Sequence, residues 1–144
     1  VGRLLDLPYP GGISIDKIYN PKKATLKLIH HYPATKSFSF SGVKTYITNY
    51  IHHAKQKKQR IDKVTIASSF LKWCVDEIMI KLKHYLRCYK VNYLVVAGGV
   101  AANSALRKAL STLKSKVYVA DKKYCGDNAA MIANYADLLL KSQK

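Results

Sequence analysis

"VVAGGVAANSALRKAL", residues 95–110, runs an apolar stretch into two glycines and restarts behind an asparagine. Val91 to Ala97 reads as a buried strand, because a short apolar run that stops at glycine fits an interior strand. Gly98 and Gly99 form its exit turn, and Asn103 to Leu113 reads as a helix with Leu106, Ala109, Leu110 and Leu113 inward. Two explanations of the glycines stay open. Either they only make a tight turn, or they let a ligand approach the backbone, where free N–H groups and a helix N-terminus favour an anion or nucleotide. "GGVAAN" (98–103) is neither a Walker loop nor a GxGxxG fingerprint, so the turn alone does not choose between them. Asn103 contributes an amide that both donates and accepts, with helix capping as its simplest role.

Downstream, "KVYVA" (116–120) reads as a second strand, "DKKYCGD" (121–127) as a loop, and Asn128 to about Leu140 as a last helix. Upstream, Asp62 caps a long helix in which Val64, Ala67, Leu71, Cys74, Val75, Ile78, Leu82 and Leu86 form one apolar stripe, the main core helix. The second half therefore runs α-β-α-β-α, an order that predicts a mixed or parallel sheet covered by helices. Ahead of the long helix, Val43, Tyr46, Ile47, Tyr50, Ile51 and Ala54 keep the spacing of an amphipathic helix, with Ser41 as its N-cap. A short strand is expected at Ser37 to Phe40. "LPYPGGISIDK" (7–17) is turn chemistry, with a short helix following from Ser14.

At 144 residues and 49% hydrophobic, the chain has the make-up of one globular unit. No secretory signal opens it, and the longest uncharged stretch, Val91 to Leu106, is interrupted by glycines and too short to span a bilayer. Cys74, Cys88 and Cys125 form no C-x-x-C pair, which excludes a disulfide framework or a zinc site of that pattern. The expectation is a soluble, cytoplasmic protein, a reducing cytoplasm or organelle matrix being the fitting compartment. A net charge of +17 favours phosphate-rich partners. Yet of the 25 basic residues only Arg3, Arg60, Arg87 and Arg107 are arginine, so a lysine-biased solvated surface is the preferred reading.

Few residues invite chemistry by themselves. Asp127 in "CGDNAAM" (125–131) lies at the mouth of the last helix, where an isolated aspartate is most simply an N-cap; Asp6, Asp16 and Asp62 read the same way. One carboxylate is too few for a metal, and the chain has no H-x-x-x-H or H-E-x-x-H pair. His30, His31, His52 and His53 are adjacent doublets that point to different sides; with His84 they read as solvated or tyrosine-packed. Ser68, Ser69 and Cys74 read as residues lining the long helix. The residues alone thus reach an α/β unit with a nucleotide-type turn.

Four collinear stretches go further. "LPYPGGISIDK", "FSFSGVKT" (38–45), "VVAGGVAANSALR" (95–107) and "CGDNAAMIANYA" (125–136) resemble the C-terminal half of the TsaD family, the tRNA N6-adenosine threonylcarbamoyltransferases once described as O-sialoglycoprotein endopeptidases. "FSFSG" followed by lysine and threonine is closer to the bacterial and organellar branch. The resemblance implies the second lobe of an actin/hexokinase/Hsp70-like ATPase fold, with residues 1–144 as that lobe. It implies transfer of the threonylcarbamoyl group of threonylcarbamoyl-adenylate to N6 of the adenine 3′ of the anticodon, in tRNAs reading codons that begin with A. Gly12, Asp16 and Asn103 match positions that hold the substrate, Gly98 and Gly99 the turn pressed against the adenosine, and Asp127 a carboxylate ligand to one divalent metal, iron or zinc. Such an ion acts as a Lewis acid on the carbamoyl carbonyl.

Ile13 stands where the family usually has proline, and Gly126 where it usually has serine or threonine. The family's metal-binding histidines, in an H-x-x-x-H helix, belong to an N-terminal lobe that these residues do not include. These residues are therefore expected to be one half of such a transferase, truncated or separately encoded, and inactive by themselves. Expected partners are tRNA, the missing lobe, and TsaB-like and TsaE-like proteins, with no membrane. The competing class is a non-catalytic nucleotide-binding or scaffold lobe in a tRNA-modification complex.

Overall fold

In a computed structural model, which describes residues 1–29, 38–126 and 129–142, one helix organises the rest of the chain. This helix spans Lys63–Tyr89 and is preceded in order by helices Gly11–Ile18 and Ser41–Gln56, so the three are α1 (Gly11–Ile18), α2 (Ser41–Gln56) and α3 (Lys63–Tyr89). Asp62 caps α3 as expected: its Oδ1 accepts the N–H groups of Val64 at 3.0 Å and Thr65 at 3.3 Å, and its Oδ2 accepts the Thr65 hydroxyl at 2.8 Å. The Thr65 hydroxyl and backbone bonds hold the Asp62 carboxyl below the usual carboxylate range. At the other end Lys90 takes a left-handed conformation, φ 48°.

The buried part of α3 is wider than one stripe. Ile66, Ala67, Ser68, Ser69, Leu71, Trp73, Val75, Glu77 and Met79 are buried, whereas Val64, Cys74, Ile78, Leu82 and Leu86 are half-buried. The cause is packing on several sides: α1, α2 and the segment after Asn20 all rest on this helix. Ser68 and Ser69 do more than line it. The Ser68 hydroxyl accepts the N–H of Asn20 at 2.9 Å and the Ser69 hydroxyl that of Leu26 at 3.0 Å, which fastens to the core a stretch whose regular structure is one 3₁₀ turn, Pro21–Lys23.

Helix α1 begins at Gly11, three residues before the expected Ser14, because Pro10 supplies an extended residue at its N-cap and Ser14 Oγ ties back to the Pro8 carbonyl at 2.6 Å. Helix α2 buries Val43, Ile47, Ile51 and Ala54 as the spacing predicts. Ser41 is its first residue rather than its cap, which is Phe40. Residues 38–40 are not a strand, and Ser37 lies outside the described residues. The Phe38 and Phe40 rings stack 6.3 Å apart and Phe40 meets Trp73 edge-on, so this stretch is held by aromatic packing instead of a ladder partner.

Past α3 come β1 (Tyr93–Val96), α4 (Ser104–Leu110), β2 (Lys116–Val119) and α5 (Ala129–Ser142). The two strands pair in parallel, from Tyr93 opposite Lys116 to Val96 opposite Val119. The chain is mixed α/β, as expected. The first strand is shorter than Val91 to Ala97 and is covered on one face only. Leu94, Val96, Val117 and Val119 pack on the core, while Tyr93 and Val95 are 62% and 66% exposed. An alternating pattern results, because successive side chains leave opposite faces of a strand. Leu106 and Leu110 of α4 are buried and Ala109 and Leu113 pack against them. None of the described residues of α5 is buried. Among the described residues, no helix is long and apolar enough to cross a membrane.

Candidate functional site

Asp16 lies in the last turn of α1 and Asn103 just ahead of α4, 87 residues away, and their side chains meet. Asn103 Nδ2 donates to Asp16 Oδ1 at 3.0 Å, while Asn103 Oδ1 accepts the N–H of Leu106 at 2.9 Å. One amide therefore caps α4 and binds Asp16, using its donor and acceptor together. Ser104 completes the cluster. Its hydroxyl donates to Asp16 Oδ1 at 2.7 Å and its N–H to Asp16 Oδ2 at 3.0 Å.

This arrangement changes the reading of the helix N-terminus. The open backbone N–H of Ser104 and the positive end of α4 are already met by the Asp16 carboxylate, supplied from another helix. What faces outward is the turn before it. Gly98 has φ 89° and ψ 173°, a region that is essentially glycine's alone. A Cβ on Gly98 meets no atom within 4 Å, so backbone conformation, not crowding inside this chain, demands glycine there. Gly99 opens a 3₁₀ turn, Gly99–Ala102, that leads to Asn103.

The third motif joins from the C-terminal side. The nearest atom to a Cβ on Gly99 is the carbonyl oxygen of Cys125, at 3.9 Å. Arg107 of α4 spans the same gap: its Nε donates to the Ala101 carbonyl at 2.7 Å and its Nη2 to the Ala120 carbonyl and, at 3.5 Å, to Cys125 Sγ. The structure thus brings together Asp16, Asn103, Gly98, Gly99 and the loop before Asp127. Asp127 itself lies outside the described residues. Gly12 sits one turn before Asp16 on α1 and lines a separate open cleft of about 670 Å³ with Gly2, Tyr9, Ile15 and Phe70. An apolar cavity of about 270 Å³, with Val43, Trp73 and Glu77 among its walls, shares no residue with either.

Among the described residues no three His, Cys, Asp or Glu side chains converge to hold a metal ion, so those residues do not by themselves fit the iron or zinc that the family resemblance implies. Neither Ser104 nor Arg107 stands out as a site residue in the sequence. The available signal is compositional, Arg107 being one of four arginines among 25 basic residues, and it does not single Arg107 out from the other three.

The family profile described as "TsaD: tRNA N6-adenosine threonylcarbamoyltransferase" matches residues 1–134. A protein named tRNA N6-adenosine threonylcarbamoyltransferase from Ureaplasma parvum serovar 3 is 51% identical over 144 residues, which is 100% of this chain and 45% of its own length. Proteins of the same name are 41% identical over 133 residues in Malacoplasma penetrans and 41% over 138 residues in Staphylococcus haemolyticus. In both cases the match covers 92% of this chain, and it covers 43% and 40% of the relatives. The chain spans less than half the length of these relatives.

Proposed function

Because this chain belongs to the TsaD family, we propose that it forms the substrate-holding part of a tRNA N6-adenosine threonylcarbamoyltransferase. In that reaction the N6 amine of the adenine attacks the carbamoyl carbon of threonylcarbamoyl-adenylate. A C–N bond forms, the bond from that carbon to the phosphate oxygen breaks, AMP leaves and the amine gives up a proton. The share of this chain is binding and orientation. Gly98 and Gly99 give the adenosine a backbone surface with no side chain in the way, and Asp16 and Asn103, locked to each other, present a fixed polar edge beside it. Held geometry of this kind lowers the barrier by removing orientational freedom before the reaction begins.

The observation that most supports the reading is the Asp16–Asn103–Ser104 cluster, in which two family motifs far apart in sequence meet beside the glycine turn. Catalysis is proposed to need the rest of the relatives' length, where the histidines of the metal site belong, together with Asp127. TsaB-like and TsaE-like proteins are proposed partners of the assembled enzyme.

The test measures label transfer from threonylcarbamoyl-adenylate to a tRNA transcript. It compares the chain alone with the chain joined to the N-terminal portion of the Ureaplasma parvum relative, each with TsaB-like and TsaE-like proteins and an iron or zinc salt supplied. The expected result is transfer only by the joined form, reduced at least about tenfold by Asn103→Ala, since that change removes a cap and a charge-assisted hydrogen bond together. Transfer by the chain alone overturns its expected inactivity. Adenylate binding without transfer in the joined form overturns the transferase reading in favour of a binding lobe.

A further inference from the structure

The Arg107 guanidinium touches two backbone carbonyls and one buried side-chain sulfur that the chain brings together from different places. We propose that Arg107 is a positioning residue that fixes the gap between the glycine turn and the 121–126 loop, and with it the surface the adenylate meets; this rests on the function proposed above. Its Nε holds the carbonyl of Ala101, a buried residue of the 3₁₀ turn. Its Nη2 holds the carbonyl of Ala120, whose own N–H donates to Val96 at 3.0 Å, at the end of the strand that runs into the turn. The same nitrogen reaches the sulfur of buried Cys125, and that thiol lies 3.4 Å from the Asp121 carbonyl.

The bonds form a closed clasp. Turn, strand end and loop are each tied to one rigid, planar group, so none shifts without breaking a charge-assisted bond. The helix that carries Arg107 also carries Asn103 at its N-cap, so α4 holds Asp16 at its front and the turn–loop pair at its side. A lysine keeps the charge but presents one point donor group in place of a fork with fixed angles, and it does not reproduce this set. The clasp therefore depends on guanidinium shape and not on charge alone.

Arg107→Lys and Arg107→Met are compared with the parent chain by amide hydrogen exchange, thermal unfolding and AMP binding. Arg107→Lys is expected to speed exchange at residues 99–103 and 121–125 together by about tenfold, to leave the α3 amides unchanged, and to weaken AMP binding by about tenfold. Unchanged exchange in either segment overturns the proposal. So does a uniform rise that includes α3, which marks a merely structural contribution. If Arg107→Met fails to fold, Arg107→Lys carries the comparison by itself. If the parent chain binds no AMP, affinity is read in the form joined to the N-terminal portion, where a lack of AMP binding overturns the proposed function, and the exchange data still decide for or against the clasp.

Discussion

Both oxygens of Asp16 are taken by residues 87 and 88 positions downstream, and the carboxylate meets the N–H at the start of α4 that a ligand anion was free to claim on sequence grounds. In the sequence Asp16 reads as one more solitary N-cap, whereas it lies in the last turn of α1 and meets the start of another helix. Its partner is invisible to local spacing because the pairing runs between two elements. Asn103 was more legible, since its capping bond is local, and only its second bond needed the fold. At Cys74 the governing effect is again an environment assembled from distant parts. Burial first, then the neighbouring Glu77, pushes the thiol up to about 12 from 9.0. Only the thiolate reacts, so at pH 8 Cys74 is expected to resist iodoacetamide in the native chain while exposed Cys88 is alkylated. Peptide mass spectrometry reads this directly, and alkylation of Cys74 at the rate of Cys88 contradicts it. The linkage has a definite sign. Between about pH 9 and 12 the folded chain keeps a proton that the unfolded chain has lost, so this group makes stability fall as pH rises through that window.

Among the elements, α2 and α3 were legible because a repeating apolar spacing is a property of the helix itself. The breadth of α3's buried surface was not, and two serines show why. Ser68 and Ser69 are polar, small and unremarkable in the sequence, yet both are buried, because backbone N–H groups 48 and 43 residues away need acceptors. The half-covered sheet escaped for a similar reason: an apolar strand reads as buried on both faces unless one knows how many layers lie against it. Ser68→Ala removes the acceptor of the Asn20 N–H and is expected to cost about 1–3 kcal/mol. The matched control is Ser111→Ala, whose exposed hydroxyl only reaches the Lys108 carbonyl and which is expected to stay within about 0.5 kcal/mol. Urea unfolding of the two variants gives both numbers. Equal midpoints for Ser68→Ala and the parent chain rule out the Ser68 bond as a fastening of the 20–26 segment.

Over the whole molecule, the strongest quantity is a charge of +17 carried mostly by lysine. The family was legible from four short stretches, but nothing in the lysine distribution separates a solvated surface from a nucleic-acid face. The structure adds one step: Arg107 is committed to backbone carbonyls and a buried sulfur, so the remaining basic surface consists of lysines and three arginines at scattered positions. Lysines neutralise phosphates as point charges and read little sequence. If tRNA lies on this surface, affinity is expected to fall by about a thousandfold between 50 and 200 mM salt, as for a protein that releases counterions from several phosphates. An unrelated folded RNA of the same length is expected to show nearly the same slope, because the charges carry no identity. Filter binding with both RNAs over a salt series tests this. A shallow slope means that the lysines face solvent, as the composition alone suggested. A steep slope for tRNA with a shallow one for the control means that this chain already recognises tRNA shape, which scattered point charges do not explain.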